Sequence, residues 1–532
     1  MLQFSPLFVI YTTNLLSMKH LLLTVLSLIA FTICAFAQLT EQQQIQKLNL
    51  AYQQIRNLYV DDISLEPLVE EAIKATLQRL DPHSMYHNRE EMTKLKSRIS
   101  GEFAGVGISY MMHNDTLVVR SVVANSPASR AGIMPFDRIT HVDNRSIIGI
   151  NADSIAMLLR GEVGSNVTLN MTRRGIRNTL TTKLKRDNIE SSAISASYRI
   201  GDVGYIAISS FTKPLANEVY EAYKALGDIN SLIIDLRDNG GGAITAAIDL
   251  SSMFLNKGDI IASTEGKTRN EVYYKRQDKI NLTIPLVVII NENSASASEM
   301  FAGAIQDHDR GVIVGRTSFG KGLVQRIVDL KDGSGMTVTI ARYKTPSGRI
   351  IQRPYEMGEG DKYRSDTLRY MHPDSIPHDS KLLFYTLKSH RKVYGGGGIT
   401  PDIYIANKEI NLSEEVIKAY TSAAFEHAII DYFDTEEIET IKSQHPTIEE
   451  FNNNYTPSNT LLNILNSYIA HTELTDTDKR FICSMLKALI AVELYGRFAY
   501  NYIYGIDLDH TLQQAFMTAN DAELMHTTLT AQ

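Results

Sequence analysis

Apolar positions recur every three or four residues between positions 39 and 80. Leu48, Tyr52, Ile55 and Tyr59 fall on one stripe, and a second run extends from Leu68 to Leu80. That spacing predicts helices. Asp81-Pro82 ends them, because the residue before a proline is pushed out of the α region. From Gly101 the rhythm shortens to β-like pieces at 105–110, 116–123, 138–142 and 166–172, with short helical pieces at 127–132 and 154–159. Such a stretch of about 85 residues is the size of one small module.

From about residue 204 to 350 strands and helices alternate. Residues 231–236 read as a buried strand, then come a glycine-rich turn and a helix over 243–254. A strand over 286–290, a helix over 297–306 and a strand over 312–314 follow. Alternation of this kind predicts an α/β domain. Residues 361–380 are polar and read as a surface loop, and 395–398 with Thr400-Pro401-Asp402 mark a boundary. Residues 412–525 are helical in pattern, with Ser413, Asp434 and Asp476 as candidate N-caps.

At 532 residues the chain exceeds one hydrophobic core. Its net charge of −7 and lack of a long basic run argue against nucleic acid as a partner. Met18-Lys19-His20, an apolar run over 21–33 and Ala35-Phe36-Ala37 read as a signal peptide cut after Ala37. The run is short for a bilayer anchor, and the bulky Ile33 before Cys34 disfavours lipid attachment. Residues 1–17 lack basic character, so Met18 is the expected start. The mature chain would then be exported: periplasmic, envelope-associated or secreted. It would keep Cys483 as its one thiol, read as buried filler, and no internal disulfide.

The chemistry concentrates in two segments. In Asn293-Ser294-Ala295-Ser296-Ala297-Ser298-Glu299, between a strand and a helix, Ser296 and Glu299 form a capping box, which needs no catalysis. The same helix start offers unpaired N–H groups to an oxyanion, so a nucleophile fits there too. In Gly320-Lys321-Gly322, Lys321 is either an exposed turn lysine or, if buried, a base. Gly315 to Lys321 mimics a phosphate-binding loop, but Gly322 replaces the metal-holding Ser/Thr and a strand follows. Gly240-Gly241-Gly242 lacks dinucleotide-binding spacing, since Thr245 stands where the last glycine should. No G-x-S-x-G elbow, H-E-x-x-H helix or metal-spaced histidine pair supports another hydrolase class or a metal; His83 and His87 flank a turn. No cofactor is expected.

Six ordered motifs resemble the carboxyl-terminal processing, or tail-specific, proteases over about residues 45–405. They are Leu80-Asp81-Pro82-His83-Ser84-Met85-Tyr86, Gly101 to Ile108, Asp235-Leu236-Arg237-Asp238-Asn239-Gly240-Gly241-Gly242, Ser294 to Glu299, Phe319 to Gln325, and Gly395 to Asp402. The resemblance implies Ser296 as nucleophile, Lys321 as its general base and Gln325 as the group orienting the lysine. It implies an oxyanion hole of the Ala297 N–H and a triple-glycine N–H, expected at Gly241, and leaves Ser294 and Ser298 as local caps. Residues 125–139 look like part of a PDZ domain, with Gly105-Val106-Gly107-Ile108 as its carboxylate loop; Phe136 stands where such domains in this family carry glycine.

The expected architecture is multidomain α+β: a signal peptide (1–37), a helical segment (38–100), a PDZ domain (101–186), a crotonase-like α/β serine protease core (187–405) and a helical tail (406–532). Its expected partners are protein substrates with free apolar C-termini. The tail is open between a packing or homo-oligomerisation accessory and an adaptor-docking surface. The rival reading is a catalytically silent PDZ-containing scaffold.

Overall fold

The computed structural model describes residues 40–190, 192–275, 280–365, 380–406, 410–436, 438–469 and 473–531. The expected signal segment lies outside them, as do residues 366–379 of the expected surface loop. The chain divides between Thr76 and Leu77 into two units. The first is helical: α1 (Glu41–Leu58) starts with a Thr40–Gln43 capping box, and α2 (Leu65–Gln78) runs across the divide.

The second unit opens with β1 (Met85–His87), α3 (Arg89–Ser100), which ends at left-handed Gly101, and β2 (Glu102–Gly105). A small module follows. It comprises β3 (Ile108–His113), β4 (Thr116–Val122), α4 (Pro127–Arg130), β5 (Arg138–Val142), β6 (Arg145–Ser146), α5 (Ala152–Leu159), β7 (Asn166–Arg173) and β8 (Ile176–Lys185). Its sheet runs β3-β4-β5-β7-β8, so β3 is an edge strand, and β2 pairs with β9 (Asp187–Glu190) at the module's neck. Alternating Leu117, Val119, Ile139, Val167 and Leu169 face Ile155 in one core. Phe136 holds the left-handed conformation that a glycine would adopt freely (φ 66°). For a residue with a Cβ that costs about 1–2 kcal/mol.

The larger part is built on a six-stranded sheet. It contains β10 (Ile194–Ile200), β11 (Val203–Ile208), α6 (Leu215–Ala225), β12 (Ser231–Asp235), α7 (Ile244–Ser252), β13 (Ile260–Gly266), β14 (Asn270–Tyr274), β15 (Leu286–Ile290), α8 (Ala297–Asp307) and β16 (Val312–Gly315). Then come β17 (Leu323–Asp329), β18 (Gly335–Lys344), α9 (Gly360–Arg364), β19 (Leu383–Tyr385), β20 (Lys392–Tyr394) and β21 (Ile403–Tyr404). The sheet order is β10-β11-β12-β15-β16-β21, parallel except for β10; a second sheet runs β1-β18-β13-β14 with β17 on β18. Strands buried on both faces read as unbroken apolar runs, which is why 231–236 and 286–290 were legible.

The tail folds as α10 (Glu414–Thr421), α11 (Ala424–Thr435), α12 (Ile438–Gln444), α13 (Ile448–Asn454), α14 (Asn459–Asn466), α15 (Asp476–Tyr495), α16 (Phe498–Asp507), α17 (His510–Asn520) and α18 (Ala522–Thr530). It covers one face of the central sheet. Tyr205, Ile233, Ile289 and Val314 share a core with Phe425, Leu486, Ile503 and Leu512. Their sequence neighbours Ile206, Ile234, Val288 and Ile313 point the other way, onto α6, α7 and α8. Of the open readings for the tail, packing is therefore what the fold displays. Two expected caps differ. Asp434 lies inside α11, its carboxylate taken by Arg138, and the cap before Asp476 is Thr475, boxed with Asp478.

Candidate active site

Three loops leave the C-terminal ends of β12, β15 and β16, where open parallel sheets place their ligands. The β15–α8 turn carries Ser296 at φ 57°, ψ −111°, outside the extended region that an ordinary N-cap uses. Such a conformation costs on the order of 1–3 kcal/mol and persists only where its surroundings impose it. Ser296 N–H donates to Glu299 Oε2 at 2.8 Å, the carboxylate half of the expected capping box. Among the described residues no acceptor meets the Ala297 N–H, the first of α8.

The turn is pinned from beneath. Buried Ser294 donates through Oγ to Leu236 O (2.8 Å), and buried Ser298 to Asn239 O (2.8 Å). Both serines were expected as local caps; Ser294 Oγ does accept the Asn291 N–H at 2.9 Å, and both serines in addition tie the turn to the loop after β12. In that loop a Cβ on Gly241 would stand 2.7 Å from Ala295 O and 2.9 Å from Ala297 N, so only glycine lets the two loops meet. The Gly241 N–H, however, donates to Asn239 Oδ1 at 2.9 Å. It is committed to its own turn, which corrects its expected place as an oxyanion donor. Among the described residues the Gly242 N–H meets no acceptor, while Gly242 itself bridges to Phe211. Below the loop, Asp235 takes Arg237 and the Tyr205 hydroxyl, and Arg237 reaches Asp509 of the tail at 2.6 Å.

The third loop carries Lys321. Its N–H donates to Glu299 Oε2 at 2.8 Å, the same oxygen that holds Ser296 N–H, so the two backbones lie within two hydrogen-bond lengths. Glu299 Oε1 takes Ser318 Oγ and the Gly320 N–H, both at 2.5 Å. Burial pushes the Glu299 carboxyl up, and these four donors pull it back. Burial also holds the Lys321 ammonium below the usual lysine range, against the upward pull of Glu299 and Asp81. Among the described residues no hydrogen bond or ion pair occupies its Nζ.

Gln325, on β17, differs from expectation. Its Nε2 donates to Thr339 Oγ1 at 3.3 Å, and among the described residues it makes no hydrogen bond to Lys321. The Thr339 N–H donates to Ser84 Oγ, which donates to buried Asp81 at 2.7 Å. The motif from Leu80 to Tyr86, to which sequence reasoning gave no task, thus supplies a carboxylate to the lysine's surroundings. Gln352, also unforeseen, accepts the Gly322 N–H through Oε1 at 2.9 Å and donates to the Tyr363 hydroxyl. A glutamine thirty residues downstream carries no local signal.

In the small module, Gly105 ends β2, Val106 is buried and Gly107 is left-handed (φ 84°). A Cβ on Gly107 would stand 2.2 Å from Ser126 Cβ. The loop opens onto the free edge of β3, the kind of edge to which β-augmentation adds an extended peptide. A cleft of about 530 Å³ runs between this module and the core, lined by Arg98, Gly101, Ala104, Arg160, Ser210 and Thr212. Phe211, inside that stretch, bonds through its N–H to Gly241 O.

Comparison with known proteins follows the same division. Residues 202–357 match peptidase family S41, 104–184 the PDZ domain, and 33–91 the N-terminal domain of the activating protease CtpB. Residues 416–496 match a family of unknown function. The carboxy-terminal-processing protease of Bartonella bacilliformis is 36% identical over 319 residues, 58% of this chain and 73% of its own. The carboxy-terminal processing protease CtpA of Bacillus subtilis is 33% identical over 317 residues, 59% of this chain and 68% of its own. A solved photosystem II D1 C-terminal processing protease aligns at 25% identity over 69% of this chain and 94% of its own, with a TM-score of 0.34.

Proposed function

Because the chain belongs to the carboxy-terminal processing proteases, serine peptidases of family S41, we propose that it cleaves exported proteins through a Ser296–Lys321 dyad and selects them by their C-termini. The observation that carries the dyad is the shared Glu299 Oε2, which draws the strained serine turn and the lysine loop onto one atom. Neutral Lys321 takes the Ser296 Oγ proton as Oγ attacks the scissile carbonyl. The oxyanion is held by Ala297 N–H and, with Gly241 committed, by the Gly242 N–H. Lys321 then gives its proton to the leaving amine, and a water activated by Lys321 hydrolyses the acyl-enzyme. Gln325 contributes through Thr339 rather than by direct contact. A silent scaffold would have no use for the backbone strain at Ser296.

Selection rests on the glycine loop Gly105–Ile108 beside the open edge of β3, with the cleft leading toward Phe211 and the triple glycine. The loop's N–H groups receive a free carboxylate, and apolar surroundings suit an apolar last residue. Export rests on the apolar run before Ala35-Phe36-Ala37, so the mature protein should begin at Gln38.

The test compares kcat/KM for one substrate with a free apolar end, an amidated end and an Asp end. The free apolar end should be cleaved fastest, and equal rates would remove selection by the tail. Ser296→Ala and Lys321→Ala should each lower cleavage by a thousandfold or more, on the order seen when one member of a catalytic unit is removed. Gln325→Ala should lower it less. Full activity in Lys321→Ala would eliminate the dyad.

A further inference from the structure

The PDZ domain and the C-terminal helices meet through long side chains from one PDZ face. The ring of Phe136 packs edge-on against Phe433 of α11, centroids 5.4 Å apart. Arg138 grips Asp434 with two parallel bonds, at 2.9 and 2.6 Å. Arg174 places its guanidinium over the end of α11, donating to the carbonyls of Phe433 and Glu436 at 2.5 Å. Carbonyls at a helix C-terminus run out of intrahelical donors, and a cation there is favoured by the helix dipole. His113, at the end of β3, meets His427 through facing Nδ1 atoms (2.8 Å) and Asp431 through Nε2 (2.9 Å). Arg120 of β4 pairs with buried Glu493 of α15 at 2.6 Å.

Three features separate this contact from incidental packing. It draws on β3, β4, β5 and the β7–β8 turn at once. It explains Phe136: a glycine would hold φ 66° without strain, but it has no side chain to pack on Phe433 as this ring does. Finally, the one gripped residue on β3 is His113, at the end of the strand away from Gly105–Ile108, and none belongs to α5, so the carboxylate loop and the start of that edge are left uncovered by the grip.

We propose that the C-terminal helices clamp the PDZ domain at one position on the protease core, so that a substrate's tail is read at a fixed distance from Ser296. The same helices are packed on the central sheet (Leu512 against Tyr205 and Ile289), which makes them a strut between the two domains. The clamp is a positioning device; it neither fills the peptide groove nor touches the reacting atoms.

The test uses full-length Ser296→Ala protein, its native cysteines replaced by serine, with spin labels at the exposed positions Arg177 and Lys257. The parent should give one narrow distance distribution. Phe136→Gly with Asp434→Ala should at least double its width, whereas the swap Arg138→Asp with Asp434→Arg should restore the narrow one. In the active enzyme, Phe136→Gly/Asp434→Ala should lower kcat/KM for a free-tailed substrate about tenfold, as misplacement of a bound substrate does. It should leave cleavage of the amidated substrate unchanged. A parent distribution that is already broad, or one that the double variant leaves narrow, overturns the clamp. Because the distances are read in a protein without its serine, they stand apart from the fate of the Ser296–Lys321 chemistry.

Discussion

Glu299 organises the site more than either proposed catalytic residue does. Its carboxylate is the acceptor for Ser296, Ser318, Gly320 and Lys321. Each buried donor left without an acceptor costs about 1–3 kcal/mol. Glu299→Ala should therefore unfold at markedly lower urea and lose cleavage together, and an alanine variant as stable as wild type would contradict the bridging role. Lys321 yields a second expectation. Its pKa is pushed down by burial, and only the neutral amine can take the serine proton. Log kcat/KM should rise with pH and level off below about 10.4, the ordinary lysine value. A flat profile for enzyme shown to stay folded would exclude a lysine base. Ser296, Lys321 and Glu299 were all legible in sequence because each sits in a short motif. The commitment of Gly241 to Asn239 was not, since neighbouring amides in one glycine run are indistinguishable until the turn is built.

At the scale of elements, period and punctuation located the helices and buried strands well, and Phe136 stood out as an anomaly before its partner was visible. Its partner lies 297 residues away in α11, and no local pattern encodes a contact of that span. The same holds for Asp434, whose short polar side chain beside a helical run looks like a cap until Arg138 takes it. The interface also carries a pH expectation. His427 is faced by His113, itself held by Asn114, from the PDZ side, and by Glu426, Asp431 and Tyr468 from the tail, with Arg138 close to Asp431. Burial and the neighbouring His113 lower its pKa. A released His427 takes a proton near its ordinary value, about 6.5, while the docked one takes it only at lower pH. Docking is thus undisturbed above that range and weakens as pH falls below it. In the labelled Ser296→Ala protein the distance distribution should broaden between pH 7.5 and 5.5. His427→Gln should flatten that response, and a pH-independent width in the parent would exclude it.

At the scale of the molecule, the tail is structural. It supplies half the cover of the central sheet, and each fully buried aliphatic or aromatic side chain contributes about 1.5–3 kcal/mol. A chain ending at residue 405 leaves Tyr205, Ile233, Ile289 and Val314 facing water. Such a chain should aggregate or melt without cooperativity, as size-exclusion chromatography and calorimetry would register. A soluble, cooperative and active truncation would show instead that the tail is an appendage.

The bond from Arg237 to Asp509 gives the molecule a clock. Arg237 belongs to the loop that backs the serine turn, and Asp509 lies 272 residues further along the chain. A chain made N-terminus first presents its PDZ domain and its serine early, but the helices that cover the sheet and carry Asp509 follow only afterwards. The loop behind the serine turn is therefore completed late, when the last cover of the central sheet is in place. Chains stalled before Asp509 emerges should ignore a serine-reactive probe that labels the completed protein.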